Sequence, residues 1–178
     1  MLYTRKGDGG TSGLLGTKVR LPKNSSLYSA LGTLDELNSL IGVCKAVAKR
    51  NRRRHTRIVS ALEAVQQNLF IVQARLAGAA KELKADAVRD AEHHIDTIEA
   101  LLNGRSTFAI PGATELSGLL DFARAVSRRA EREVIGAHPH YEISDDMRCY
   151  LNRLSSLLFA LARYASLRAG VHDPSPSY

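Results

Sequence analysis

Five stretches of this chain place apolar residues at alternating steps of three and four, and no other feature limits the possible folds as sharply. The runs are Leu34, Leu37, Ile41, Cys44 and Ala48; Ile58, Leu62, Val65, Leu69, Val72 and Leu76; Val88, Ala91, Ile95, Ile98 and Leu102; Leu116, Leu119, Ala123, Val126, Ala130 and Val134; and Met147, Leu151, Leu154, Leu158, Leu161 and Ala165. Such spacing returns to one face of an α-helix at every step, so each run predicts an amphipathic helix whose apolar stripe must be covered. No alternating strand pattern and no internal repeat is visible. The expected fold is therefore all-α: an antiparallel five-helix bundle forming a single domain over residues 1–178. With 178 residues, 44% of them hydrophobic, the chain suits one domain with its own core, and its bulk is not disordered.

Local punctuation agrees with this count. Thr33-x-x-Glu36 has the spacing of a capping box, with a helix already begun near Ser26 as the alternative. Asn103-Gly104 and Ile135-Gly136 read as helix stops, and Ser144-Asp145-Asp146 supplies a cap and two acids to the fifth helix. Gly170 ends that helix, leaving residues 171–178 as a flexible tail. The boundary around Gly78 to Lys84 carries no proline.

No apolar run reaches the roughly 20 residues that span a bilayer, and the N-terminus lacks the apolar core of a secretion signal. A soluble, cytoplasmic protein with no membrane partner is expected. The two cysteines, Cys44 and Cys149, each lie in a helical pattern, so neither a disulfide framework nor a four-cysteine zinc site is available. A formal net charge of +7 favours anionic partners.

Several clusters compete for that role. The segment Thr4-Arg5-Lys6-Gly7-Asp8-Gly9-Gly10-Thr11-Ser12-Gly13 is too rich in glycine to be helical. Its backbone N–H groups could turn inward on an anion, although it is neither a Walker A loop nor G-x-G-x-x-G. A phosphate cradle and a flexible leader both remain open for it. Arg50-Asn51-Arg52-Arg53-Arg54-His55 lacks the interleaved aromatics of a nucleic-acid site and reads as a solvated turn between helices. His93-His94 and His138-Pro139-His140 have no metal-ligand spacing, and no protein metal site is assigned.

The fourth helix stands apart. Arg124, Arg128 and Glu131 follow at i, i+4 and i+7, with Arg129 and Arg132 beside them. Like charges so close need anions, and Glu131 is the local one, so Asp35 or an external polyanion must answer the others. The apolar segment Phe108-Ala109-Ile110-Pro111-Gly112-Ala113-Thr114 leads directly into this helix. An apolar loop beside a cationic face suits a large ligand with one greasy and one anionic part.

Taken together, these segments resemble the PduO-type ATP:cob(I)alamin (corrinoid) adenosyltransferases. The matching stretches are Tyr3 to Thr11, Gly32-Thr33-Leu34-Asp35-Glu36-Leu37-Asn38-Ser39, Phe108-x-x-Pro111-Gly112, Arg124 to Arg132, and Tyr150-Leu151-Asn152-Arg153-Leu154-Ser155. They fall in the family's order across essentially the whole chain. Two positions depart from the usual pattern: Ala113 stands where a second glycine is usual, and Ser156 where an aspartate is usual.

The resemblance implies transfer of the 5′-deoxyadenosyl group of ATP to cob(I)alamin, giving adenosylcobalamin and triphosphate, in a homotrimer with its sites at subunit interfaces. By that analogy residues 1–25 form an ATP-binding segment, through Thr4, Arg5, Gly7, Asp8, Gly10, Thr11 and Lys23, while Arg128, Glu131 and Asn152 hold the nucleotide. Phe108, with Pro111 and Gly112, would meet the corrinoid, Phe108 displacing its lower axial ligand. Phe108 and Arg128 would be the catalytic pair, and Asp35 and Arg124 the ion pair joining subunits. Mg2+ would enter through the ATP phosphates. A cob(II)alamin reductase and an adenosylcobalamin-dependent enzyme are the implied protein partners. A non-catalytic ATP or corrinoid sensor and a basic nucleic-acid binder are the alternatives.

Overall fold

The computed structural model describes residues 3–14, 18–102, 109–137 and 142–177. Five helices carry the fold: α1 (Ser26–Lys49), α2 (Arg52–Leu76), α3 (Asp86–Leu102), α4 (Glu115–Ala137) and α5 (Asp145–Ala169). α1, α2, α5 and α4 close a ring in which each helix touches its two neighbours, and α3 lies outside it against α5 and the edge of α2. The apolar stripes meet inside: Leu34, Leu37 and Ile41 of α1, Leu62 and Leu69 of α2, and Leu154, Leu158 and Leu161 of α5 are all fully buried. Truncating any one of these leucines to alanine costs about 2–5 kcal/mol. Tyr150 is also enclosed, and its hydroxyl is satisfied by the Asn68 side-chain amide, which donates at 3.2 Å.

Helix ends follow the sequence in some places and not in others. Ser144 caps α5, its Oγ accepting from the Met147 N–H at 3.3 Å, and Gly170 ends it at φ +72°. α1 starts at Ser26, so Thr33-x-x-Glu36 is no capping box: Thr33 is mid-helix and its hydroxyl donates to the Ser29 carbonyl at 2.8 Å. α4 runs through Ile135-Gly136 to Ala137, because an isolated glycine does not stop a helix packed on its apolar side. The arginine run is not a loop. Only Arg50 and Asn51 connect α1 to α2, and Arg52, Arg53 and Arg54 form the first turn of α2, which kinks at His55. The expected stop at Asn103-Gly104 lies outside the described residues, as does the His138-Pro139-His140 segment.

The expectation of no strands is corrected by a small antiparallel hairpin before the bundle, β1 (Thr11–Gly13) paired with β2 (Arg20–Pro22). Its three-residue strands are too short for an alternating pattern to register. Side-chain bonds reinforce the ladder: Arg20 Nε donates to Thr11 Oγ1 at 3.1 Å, and Arg20 Nη2 donates to the carbonyl oxygens of Thr11 and Lys6. Leu14 and Leu21 tie this hairpin to the core.

Candidate functional site

The glycine-rich segment is folded back on itself. Asp8 N–H donates to the Arg5 carbonyl at 3.3 Å, Gly10 N–H to Gly7 at 3.2 Å, and Lys23 N–H to Gly10 at 2.9 Å. Arg5 holds φ +58°, a left-handed conformation unfavourable for a residue with a β-carbon. Lys23 reaches back across the loop, so that a β-carbon on Gly7 would stand 3.2 Å from its ammonium nitrogen. Tight turns, exposed donors and an ammonium over a glycine are a suitable frame for phosphate oxygens. Arg20, which clips the frame shut, escaped the sequence reading; its cue is its place in the strand opposite Gly13.

The cationic face of α4 is answered in part from within the chain. Glu36 on α1 is paired with Arg129, and Asn152 Nδ2 on α5 donates to Glu131 Oε1 at 2.9 Å. Arg128 and Arg132 are exposed, and among the described residues no carboxylate pairs with either. Asp35 is exposed on α1 and is not joined to Arg124 in the single chain. The carboxylate near Arg124 is Asp121, one turn earlier, with Oδ1 3.8 Å from Arg124 Nε.

Beside this face a cavity of about 690 Å³ opens between α3, α4 and α5. Ile95, Leu102, Ala109, Phe159 and Ala160 give it apolar walls, with Glu99, Asp121, Arg124, Ser155 and Ser156 as polar points. Its size and character are those of a pocket for an organic ligand. Ala109 belongs to the segment before α4, which places the sequence-predicted apolar loop at the cavity. Gly112 holds φ +102°, and its Cα would be 3.2 Å from a β-carbon on Gly118, so the loop lies directly on the first turns of α4. Pro111 and Gly112 are exposed; Phe108 lies outside the described residues.

A buried ion pair, missed by sequence reasoning, underlies the cavity. Asp121 and Arg163 side chains are 4% and 2% exposed and paired with each other. Burial pushes the Asp121 carboxyl above the usual carboxylate range, while Arg163 pulls it back down. The cue is Arg163 itself, a lone charge within the apolar run from Leu157 to Ala165.

The structure thus gathers the predicted residues into three groups: the N-terminal loop with Lys23, the α4–α5 face with Arg128, Glu131 and Asn152, and the cavity with Arg124 and the loop before α4. Among the described residues no hydrogen bond or ion pair joins the first group to the second. No cluster of three His, Cys, Asp or Glu side chains is placed to hold a metal ion among the described residues.

The family model of the cobalamin adenosyltransferases matches residues 2–165, and the chain belongs to that family. It is 37% identical over 169 residues to a corrinoid adenosyltransferase of Citrobacter freundii, covering 91% of this chain and 93% of that one. Against the corrinoid adenosyltransferase PduO of Salmonella typhimurium it is 35% identical over 169 residues, covering 91% of this chain but 48% of the relative. The chain therefore spans about half the length of the PduO relatives it matches. Among solved structures, it superposes with a TM-score of 0.90, at 31% identity and over 100% of both chains, on a phenylalanine-to-alanine variant of a PduO-type ATP:corrinoid adenosyltransferase from Lactobacillus reuteri complexed with cobalamin and ATP.

Proposed function

We propose that this chain transfers the 5′-deoxyadenosyl group of ATP to cob(I)alamin, forming adenosylcobalamin and releasing triphosphate. The observation that carries the reading is the cavity of about 690 Å³ set against the arginine face of α4, in a chain of the cobalamin adenosyltransferase family. The cavity takes the corrin ring, reached by the loop before α4 through Ala109, and Phe108, Pro111 and Gly112 of that segment are assigned to the corrinoid by the family resemblance. Residues 1–25 form the nucleotide segment, in which Thr4, Arg5, Gly7, Asp8, Gly10, Thr11 and Lys23 surround the triphosphate. Arg128, Glu131 and Asn152 complete the nucleotide site.

The reaction is a displacement. The cobalt(I) electron pair forms the Co–C bond at C5′, and the C5′–O bond breaks with its pair leaving on triphosphate. No proton moves at the reacting carbon, so no general base is required. The protein must align attacker and leaving group and place cations where negative charge grows, which Arg128 and Lys23 can do. Mg2+ fits as a phosphate-bound ion, since such sites use one or two carboxylates beside phosphates and water, and Asp8 or Glu131 can supply one. By the family resemblance, Phe108 would exclude the lower ligand of the corrinoid, so that cobalt accepts an electron more readily.

A homotrimer with sites shared between subunits is the assembly the family resemblance implies, and it is supported by the separation of the nucleotide residues into two groups that no hydrogen bond or ion pair joins among the described residues. Phe122 and Ile135, 56% and 50% exposed on α4, offer apolar surface for that contact, and Asp35 with Arg124 an ion pair across it. A cytoplasmic location, a cob(II)alamin reductase and an adenosylcobalamin-dependent acceptor belong to the same proposal; among the described residues no helix is long and apolar enough to cross a membrane.

The test is to mix the protein with cob(I)alamin and Mg-ATP and follow the absorbance of the alkylated product. Formation of adenosylcobalamin is expected. Binding of both substrates without conversion would make the chain a sensor, and binding of neither would overturn the reading altogether.

A further inference from the structure

The C-terminal tail is joined to the cavity wall by a chain of alternating charges. Asp173 Oδ2 lies 3.4 Å from Arg163 Nε, Arg163 is paired with Asp121 Oδ2, and Asp121 Oδ1 lies 3.8 Å from Arg124 Nε. The middle pair is almost wholly buried, where each charge depends on its neighbours. Arg163 Nε and Nη1 have no hydrogen-bond acceptor, which leaves Asp173 as the second anion beside this guanidinium. The Arg163 guanidinium also lies 5.2 Å from the ring centre of Phe159, a residue of the cavity wall.

A second tie is mechanical. Ser166 Oγ donates to Asp173 Oδ1 at 2.7 Å, and the adjacent Pro174 carbonyl accepts from Ile110 N–H at 2.8 Å. The tail therefore holds the segment that leads into α4, and it walls a smaller cavity of about 240 Å³ that shares Leu102 and Ala109 with the larger one.

We propose that Asp173 is a positioning residue for the corrinoid side of the site, fixing the loop at Ile110 and, through Arg163 and Asp121, the Arg124 guanidinium. This rests on the larger cavity being where the corrinoid binds. Loss of the carboxylate frees the loop and unbalances the charge chain, while Lys23, Glu131 and Asn152 keep their own contacts. Corrinoid use should suffer and ATP use should not.

The experiment compares Asp173→Ala and Asp173→Glu with the wild type in the full chain, by amide exchange at Ile110 and by steady-state kinetics with cob(I)alamin and ATP. In Asp173→Ala, exchange at Ile110 should quicken about tenfold or more, because its acceptor is no longer held. The KM for cob(I)alamin should rise about three- to tenfold with the KM for ATP nearly unchanged, and Asp173→Glu should recover part of both effects. In an Arg124→Lys background the added effect of Asp173→Ala should be smaller; equal effects in both backgrounds would overturn the link to Arg124. Unchanged Ile110 exchange, or equal rises in both Michaelis constants, would overturn the positioning role. Exchange requires no turnover, so a quickened Ile110 amide in a wild-type background that cannot adenosylate cobalamin would overturn the functional reading and the positioning role for the corrinoid, leaving only a structural clasp.

Discussion

Asn152 on α5 donates a 2.9 Å hydrogen bond to Glu131 on α4, so that two residues proposed to hold the nucleotide are already fixed to each other. The amide orients the carboxylate and leaves its second oxygen available to a ligand. Asn152→Ala should release Glu131 and raise the KM for ATP about tenfold, in line with loss of one hydrogen bond to a charged group, with a smaller fall in turnover. Steady-state kinetics with cob(I)alamin held in excess measures the split. A fall confined to turnover would place the pair at the reacting atoms instead.

Arg128 is exposed, and no described carboxylate neutralises it. In the proposed reaction its charge would meet the negative charge that builds on triphosphate as the C5′–O bond breaks. Arg128→Ala should lower turnover by about 10²-fold or more. A raised KM for ATP at full turnover would show that the guanidinium only binds.

Asp35→Ala should weaken assembly and activity together, since the nucleotide site is proposed to form between chains. Light scattering checks this directly, with a trimer mass expected for the wild type. A monomer mass for an active wild type would remove the shared-site model.

The two cysteines should report on the core. Cys44 is fully buried, and burial pushes its thiol up to about 12, whereas Cys149 is exposed. A neutral aromatic disulfide reagent at mildly alkaline pH should label one thiol per native chain and both after unfolding. Rapid labelling of Cys44 in the native protein would contradict the packing of α1.

Acid should destabilise the bundle through His55 and His94. Both are half-buried, and each has an Nδ1 with no hydrogen-bond partner. Burial holds both imidazoles below the usual histidine range, reinforced by Arg54 and Arg168 at His55 and by Arg57 and His93 at His94. A depressed native pKa contributes stability that is complete above about pH 6.5 and is lost as pH falls through the lower native value. The urea midpoint should fall from pH 8 to pH 5, and His94→Gln should flatten that slope.

All five helices were legible because each shows several turns of uninterrupted apolar stepping, and Ser144 and Gly170 marked the two ends of α5 through chemistry local to one turn. Thr33 and Glu36 misled because the same spacing occurs inside a helix, where threonine can bond the carbonyl four residues back. The hairpin was invisible because its strength lies in the side chain of Arg20 more than in any strand pattern. The pairing of Asp121 with Arg163 spans 42 positions, a separation that periodicity cannot encode. Family resemblance supplied the nucleotide and corrinoid roles, which composition and spacing reached only as an anionic, partly apolar ligand.

The hairpin stands apart from the helical ring, anchored by Leu14 and Leu21 and closed by the Arg20 clip. A unit with so little shared core can open while the helices remain intact, since local opening costs far less than global unfolding where few apolar contacts are broken. If the proposed nucleotide role of this segment holds, nucleotide affinity contains the closing equilibrium of this small unit as a factor, and any change that favours its closed form tightens ATP binding without touching ATP. The bundle supplies endurance, and the hairpin is the part free to open and close.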